Sequence, residues 1–244
     1  MGYPVAGAWT PVQAPDRSNQ GVHVSSAGIA ASADPLFALA IGLLGALLGV
    51  LAELLITRTM PRLGGLPGIW TRITTAALTG VLCAALALRF GMDWSLPAFL
   101  VLGVLGVQLA RIDFAHHLLP NPLVLALLVA GLALFVVSST ATAGWTELLR
   151  AAAGAAILFV VYLILAIISP SGIGMGDVKL AAPVGLYLGY LGWSQLFYGG
   201  ALGFVVGGIF SFVLIRLNRA EKTSEVAFGP SMLAATLGLV LFTS

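Results

Sequence analysis

Asp113 and Asp177 are the residues of this 244-residue chain best suited to chemistry. Asp113 sits in Arg111-Ile112-Asp113-Phe114-Ala115-His116-His117-Leu118-Leu119-Pro120-Asn121, where the proline forces a break between helices. Asp177 sits in Gly172-Ile173-Gly174-Met175-Gly176-Asp177-Val178-Lys179-Leu180. Glycines at alternate positions there permit a non-helical backbone that another segment can approach closely. Two carboxyl groups brought together cannot both ionise, so the pair holds one proton. The ionised member can take a proton from water as that water attacks a peptide carbonyl. The protonated member can hydrogen-bond the carbonyl oxygen and later protonate the leaving amine. Titration belongs to the pair, so sequence does not divide these roles between Asp113 and Asp177.

The elements that must bring them together lie in a membrane. Only 8% of residues are charged and 59% are hydrophobic, with a mean hydropathy of +1.06; an ordinary soluble domain has about a quarter of its residues charged. A bilayer core of about 30 Å takes roughly 20 apolar helical residues per crossing. Apolar runs fall near 35–56, 69–90, 95–112, 121–138, 147–169, 178–191, 194–216 and 228–243. They predict an all-α polytopic bundle of about eight transmembrane helices, the sixth and eighth short enough to need local thinning. Residues 35–244 form the membrane-embedded domain on this reading. Residues 1–34 are polar, rich in Pro and Gly and without helical periodicity, and are expected as a disordered extracytoplasmic tail. With Arg17 as its one basic residue, the tail lacks the start of a signal peptide, so the first span is expected to be retained.

Charge fixes the direction. Arg58, Arg62, Arg72, Arg111, Lys179, Arg216, Arg219 and Lys222 fall on one side of an eight-span chain, and Arg17, Arg89 and Arg150 on the other. The positive-inside rule puts the larger group in the cytoplasm and both termini outside. Two spans separate Asp113 from Asp177, so both return to the cytoplasmic boundary of the plasma membrane. No basic cluster is dense enough to follow a phosphate backbone, so nucleic acid is not an expected partner. The lone Cys83 excludes an internal disulfide and a multi-cysteine zinc site, and reads as a small buried side chain. Pairs such as Gly45 and Gly49, Ala151 and Ala155, and Gly203 and Gly207 read as helix-packing positions.

Glu53 is a third carboxylate at membrane depth, near the cytoplasmic end of the first span. It can pair with Arg58, Arg72 or Lys179, or attract a basic segment of a substrate. His116 and His117 read as solvated interfacial groups. From residues alone, three readings of the aspartates stay open: a catalytic pair, a carboxylate in an ion-coupled transport path, or structural groups. In the last, Arg111 balances Asp113 at the interface and Asp177 caps the sixth helix.

Gly174-Met175-Gly176-Asp177 resembles the GxGD signature of membrane aspartyl proteases, and Gly172 to Leu180 as a whole resembles the bacterial type IV prepilin peptidase family. Ile112-Asp113 followed by Leu119-Pro120-Asn121 is similar to that family's first aspartate motif. Ala227-Phe228-Gly229-Pro230 is similar to the segment opening its last helix, and Gly49 through Arg62 to the end of its first. The resemblance implies cleavage of prepilin or pseudopilin leaders after a glycine, at the cytoplasmic face. It makes Asp113 and Asp177 the catalytic pair, Gly174 and Gly176 loop-shaping residues, and Lys179 a setter of local charge, with no metal or other cofactor. Prepilins or pseudopilins and the lipid bilayer are the implied partners.

Two departures stand out. Long members carry a domain with paired CxxC motifs between the first two helices and also methylate the new pilin N-terminus. Here roughly Thr57 to Ile69 makes that connection and contains no cysteine, so methylation is expected to be absent or to be performed by another protein. Glu53 stands where the family commonly has asparagine. A non-catalytic assembly scaffold and a small transporter or channel are the alternative readings.

Overall fold

The computed structural model describes residues 34–59, 68–168, 174–216 and 228–243. The tail expected over 1–34 lies outside them except for Asp34, as does most of the connection between the first two spans. Among the described residues the chain forms eight helices: α1 (Pro35–Thr59), α2 (Ile69–Phe90), α3 (Leu96–His116), α4 (Asn121–Thr142), α5 (Trp145–Ile168), α6 (Met175–Leu191), α7 (Trp193–Arg216) and α8 (Gly229–Phe242). Helices α1 to α5 are each long and apolar enough to cross a bilayer, and α8 is a shorter apolar helix. The chain is an all-α, multi-pass membrane protein.

Local sequence sets the helix ends. The Asp93 carboxylate accepts hydrogen bonds from the Ser95 N–H at 2.7 Å and its hydroxyl at 2.6 Å, starting the turn into α3. Prolines in the first turns of α3, α4 and α8 cost nothing there, since those N–H groups have no helical partner. His117 closes α3 in the left-handed region (φ 50°), its N–H donating to the Asp113 carbonyl at 2.8 Å. That reversal sends Leu119 and Pro120 back toward the end of the bundle where Asp113 lies.

Helices α3 and α6 are the buried ones. Helix α3 packs against α1, α2, α4 and α8, and α6 against α4, α5, α7 and α8, so α4 and α8 touch both. Each buried helix carries one of the two aspartates. At their opposite ends, rings lock α3, α4 and α6 together: Phe99 meets Phe135 at 5.6 Å and Tyr187 at 5.9 Å, while Phe135 stacks on Tyr190 at 3.9 Å. The Ser138 and Tyr190 hydroxyls share a hydrogen bond of 3.0 Å. Lipid offers no hydrophobic drive between helices, so such packing and hydrogen bonding carry the association.

Small residues set the closest approaches. A Cβ at Gly154 would lie 2.5 Å from the Gly185 carbonyl oxygen, and one at Gly189 would lie 2.8 Å from that of Arg150. The α5–α6 seam is therefore backbone on backbone. Gly45 fits against Cys83 and Gly49 against Thr79, which accounts for the buried cysteine. Ala151 is buried against Gly189; the glycines of this seam, two of them on α6, were not singled out from sequence.

Two arginines finish the short helices. The Arg150 guanidinium donates to the carbonyls of Gly189 and Tyr190, both at 2.7 Å, satisfying the end of α6. Arg89 donates to the carbonyls of Val240 and Thr243 at the end of α8. Charged donors on terminal carbonyls also complement the helix dipole. Replacing Arg150 by Met is expected to cost about 2 kcal/mol. Thermal unfolding in detergent would read this as a lowered midpoint, whereas Arg150→Lys should fall between the two.

Candidate functional site

Asp113 and Asp177 are 4% and 5% exposed, although each lies within a turn of a helix end. Three loop segments converge on them. A Cβ at Gly229 would lie 2.5 Å from Asp113 Oδ2 and 3.4 Å from Leu119 Cδ1. A Cβ at Gly176 would lie 3.0 Å from the same Leu119 atom. Leu119 thus wedges between the residue preceding Asp177 and the glycine that faces Asp113. The Gly229 N–H also lies against the Asp113 carboxyl, whereas Asp113 Oδ2 has no hydrogen-bond partner among the described residues. The segments carrying Leu119 and Gly176 are tied directly, the Lys179 ammonium donating to Asn121 Oδ1 at 3.0 Å.

The sequence placed the start of the sixth helix after Asp177. The structure starts α6 at Met175, with Gly174 as an extended cap (φ −71°, ψ 147°) and Asp177 inside the first turn. Gly176 is therefore helical, and its value lies in admitting Leu119 rather than in irregular backbone. Gly174 does cap the loop, and a Cβ there would stand 3.5 Å from Asp177 Oδ2, an ordinary contact. Gly174 is the capping position, and Asp177 follows three residues later within the first turn.

Glu53 is only 1% exposed and stands apart from the aspartates, on α1. Its carboxylate meets the Arg111 guanidinium at 3.5 Å; Arg58, Arg72 and Lys179 were the partners considered from sequence. Burial makes a long side chain reaching from the neighbouring helix the available cation. Arg111 is thereby engaged by Glu53, which removes the counter-charge proposed for Asp113. Gln108, one turn earlier, donates to the Gly49 carbonyl at 3.0 Å. These two contacts fix α3 against α1 just before the aspartate. His116 and His117 are exposed.

Sequence reasoning did not assign a role to Leu119 or Gln108, gave Arg111 only as a balance for Asp113, and noted Gly229 only as part of a motif. Position in that motif was the available signal for Leu119 and Gly229. Nothing in the sequence marks Gln108 beyond a lone amide in an apolar span. Among the described residues, no three His, Cys, Asp or Glu side chains gather to hold a metal ion. The arrangement offers two shielded carboxyl groups beside backbone that a peptide can approach.

The profile of the Type IV leader peptidase family matches residues 99–212, which include both aspartates. A prepilin leader peptidase/N-methyltransferase of Stutzerimonas stutzeri is 33% identical over 159 residues, covering 64% of this chain and 53% of that protein. Its namesake from Xanthomonas campestris pv. campestris is 33% identical over 172 residues, covering 68% of this chain and 56% of the relative. That of Pseudomonas aeruginosa is 34% identical over 165 residues, covering 64% and 53%. The chain spans little more than half the length of these curated relatives. No solved structure matches it. A profile match running through both aspartate motifs, and about a third of residues shared with each of these three proteins over the aligned stretch, make this chain similar to the type IV leader peptidase family.

Proposed function

We propose that this protein is a membrane aspartic endopeptidase that removes the leader of type IV prepilins or pseudopilins. The observation that carries the reading is that two buried carboxyl groups lie beside one cluster of residues at helix ends, Leu119, Gly176 and Gly229. The pair holds one proton. Its ionised member takes a proton from water, and the water oxygen bonds to the scissile carbonyl carbon. The protonated member hydrogen-bonds the carbonyl oxygen, stabilising the tetrahedral intermediate. As that intermediate collapses, the C–N bond breaks and a carboxyl proton passes to the leaving amine. The balance is one water consumed, with a new carboxyl and a new amino terminus formed.

The cut follows the leader glycine, at the cytoplasmic face of the plasma membrane. The side on which Arg58, Arg111 and Lys179 fall supports that orientation, and it puts both chain termini outside. Lys179, held by Asn121, orders the start of α6 and adds positive charge beside the pair. The reaction uses no cofactor. Methyl transfer, the second activity in the relatives' name, is not assigned to this chain, whose one cysteine is buried in α2.

Co-expression with a prepilin from the same genome tests the reading, with processing followed by gel shift and N-terminal sequencing. Wild type should cut after the leader glycine, and Asp113→Asn and Asp177→Asn at equal membrane abundance should each lose at least about a hundredfold in rate. Pilus assembly that persists with both aspartates replaced would instead favour the scaffold. Asp177-dependent ion flux without cleavage would favour the transporter. The rate should be bell-shaped in pH, reporting the coupled pair; a rate that only climbs into strongly alkaline solution contradicts a shared proton.

The glycines give a sharper comparison. Gly229→Ala brings a methyl group against the Asp113 carboxylate and should cost on the order of a hundredfold in kcat at unchanged abundance. Gly176→Ala meets Leu119 and should cost less. Gly174→Ala adds a methyl at ordinary contact distance and should stay within a few-fold of wild type.

A further inference from the structure

Tyr162, on α5, is 3% exposed, and its hydroxyl is buried with no hydrogen-bond partner among the described residues. Burying an unpaired hydroxyl costs on the order of 1–3 kcal/mol. Such a group is cheap to avoid, since phenylalanine has the same shape without the hydroxyl.

The register of the α5–α6 seam says what lies opposite. The helices run antiparallel, with Gly154 against Gly185 and Arg150 against Gly189. From Gly154, eight residues along α5 lead to Tyr162. From Gly185, eight residues back along α6 lead to Asp177. Each step is about 12 Å of helix, so phenol and carboxyl stand at one level, both turned inward. Tyr162 and Asp177 lie within electrostatic reach of each other. On the third side, α7 leaves room: a Cβ at Gly203 would lie 3.7 Å from the Tyr162 hydroxyl and 3.4 Å from the Met232 Cα on α8.

We propose that Tyr162 is a positioning residue for Asp177, its hydroxyl donating a hydrogen bond to that carboxyl group when the site closes on substrate. The phenol holds the carboxyl in the orientation that its proton transfer needs, and does not itself touch the scissile bond. The second orphaned phenol, Tyr187, supplies the contrast. It is also fully buried without a partner, but its hydroxyl faces Gly131 on α4, among the rings at the far end of the bundle.

This inference rests on the peptidase reading, and one experiment separates the two. The purified full-length protein, in proteoliposomes, is given a purified prepilin carrying its leader, and kcat and KM are measured for wild type, Tyr162→Phe and Tyr187→Phe. Tyr162→Phe should lower kcat by on the order of tenfold to a hundredfold with KM within about twofold. Its thermal midpoint should hold or rise, because the resting hydroxyl has no partner to lose. Tyr187→Phe should keep wild-type kcat. Cleavage by wild type with kcat within about twofold in Tyr162→Phe overturns the positioning role alone. An equal loss in Tyr187→Phe also overturns it, by tracing the effect to packing. If wild type leaves the prepilin uncut, the peptidase reading and this inference fall together.

Discussion

Burying two carboxyl groups at one end of a bundle of apolar helices is the constraint on which the architecture turns. Desolvating one carboxylate is costly and desolvating two neighbours more so. A loose pair would separate, solvate and ionise independently. The fold meets this by placing each aspartate on one of its two most enclosed helices, α3 and α6, and letting α4 and α8 pack on both. The helices around the aspartates thus set their places. The rings of Phe99, Phe135, Tyr187 and Tyr190 fix the far ends of α3, α4 and α6, leaving the aspartate end to be closed by small loop contacts.

Those contacts depend on missing side chains. Gly229 and Gly176 leave the space that the Asp113 carboxyl and Leu119 fill, and Gly154, Gly185 and Gly189 let α6 lie directly on α5. In a medium where lipid competes on equal terms for apolar surface, close backbone approach is a strong source of specificity. The seam and the site are therefore one mechanical system, since the glycines that seat α6 on α5 also set the depth of Asp177.

The eight helices were legible because lipid demands long apolar runs, and their bounds follow from Pro97, Pro122 and Pro230 and from the polar breaks between spans. The aspartates were legible as expensive groups returning to one side by parity. What was not legible depended on rotation about the helix axes. Sequence located Glu53 near the right end of α1 but could not show that Arg111 faces it. It read Gly176 as a loop residue because helical and irregular backbone both tolerate glycine, and only the position of Leu119 distinguishes them. The orphaned state of the Tyr162 hydroxyl belongs to the same class, since a tyrosine in an apolar span shows nothing of its partners.

Short helices follow from the same constraint. Helix α6 has 17 residues and α8 has 14, and both begin at the aspartate end, where Gly174 and Phe228 precede their first turns. A full-length span would carry its first turn farther into the headgroup region or its last turn out of the opposite face. Shortening lets the starts of α6 and α8 be set by the aspartate end, but it leaves terminal carbonyls that need donors from elsewhere. Arg150 and Arg89 reach those carbonyls from the adjoining helices. Two of the three arginines on the sparsely charged side, Arg89 and Arg150, thus have a structural explanation: they let α8 and α6 end early, so that the starts of these helices can be set by the aspartate end of the bundle.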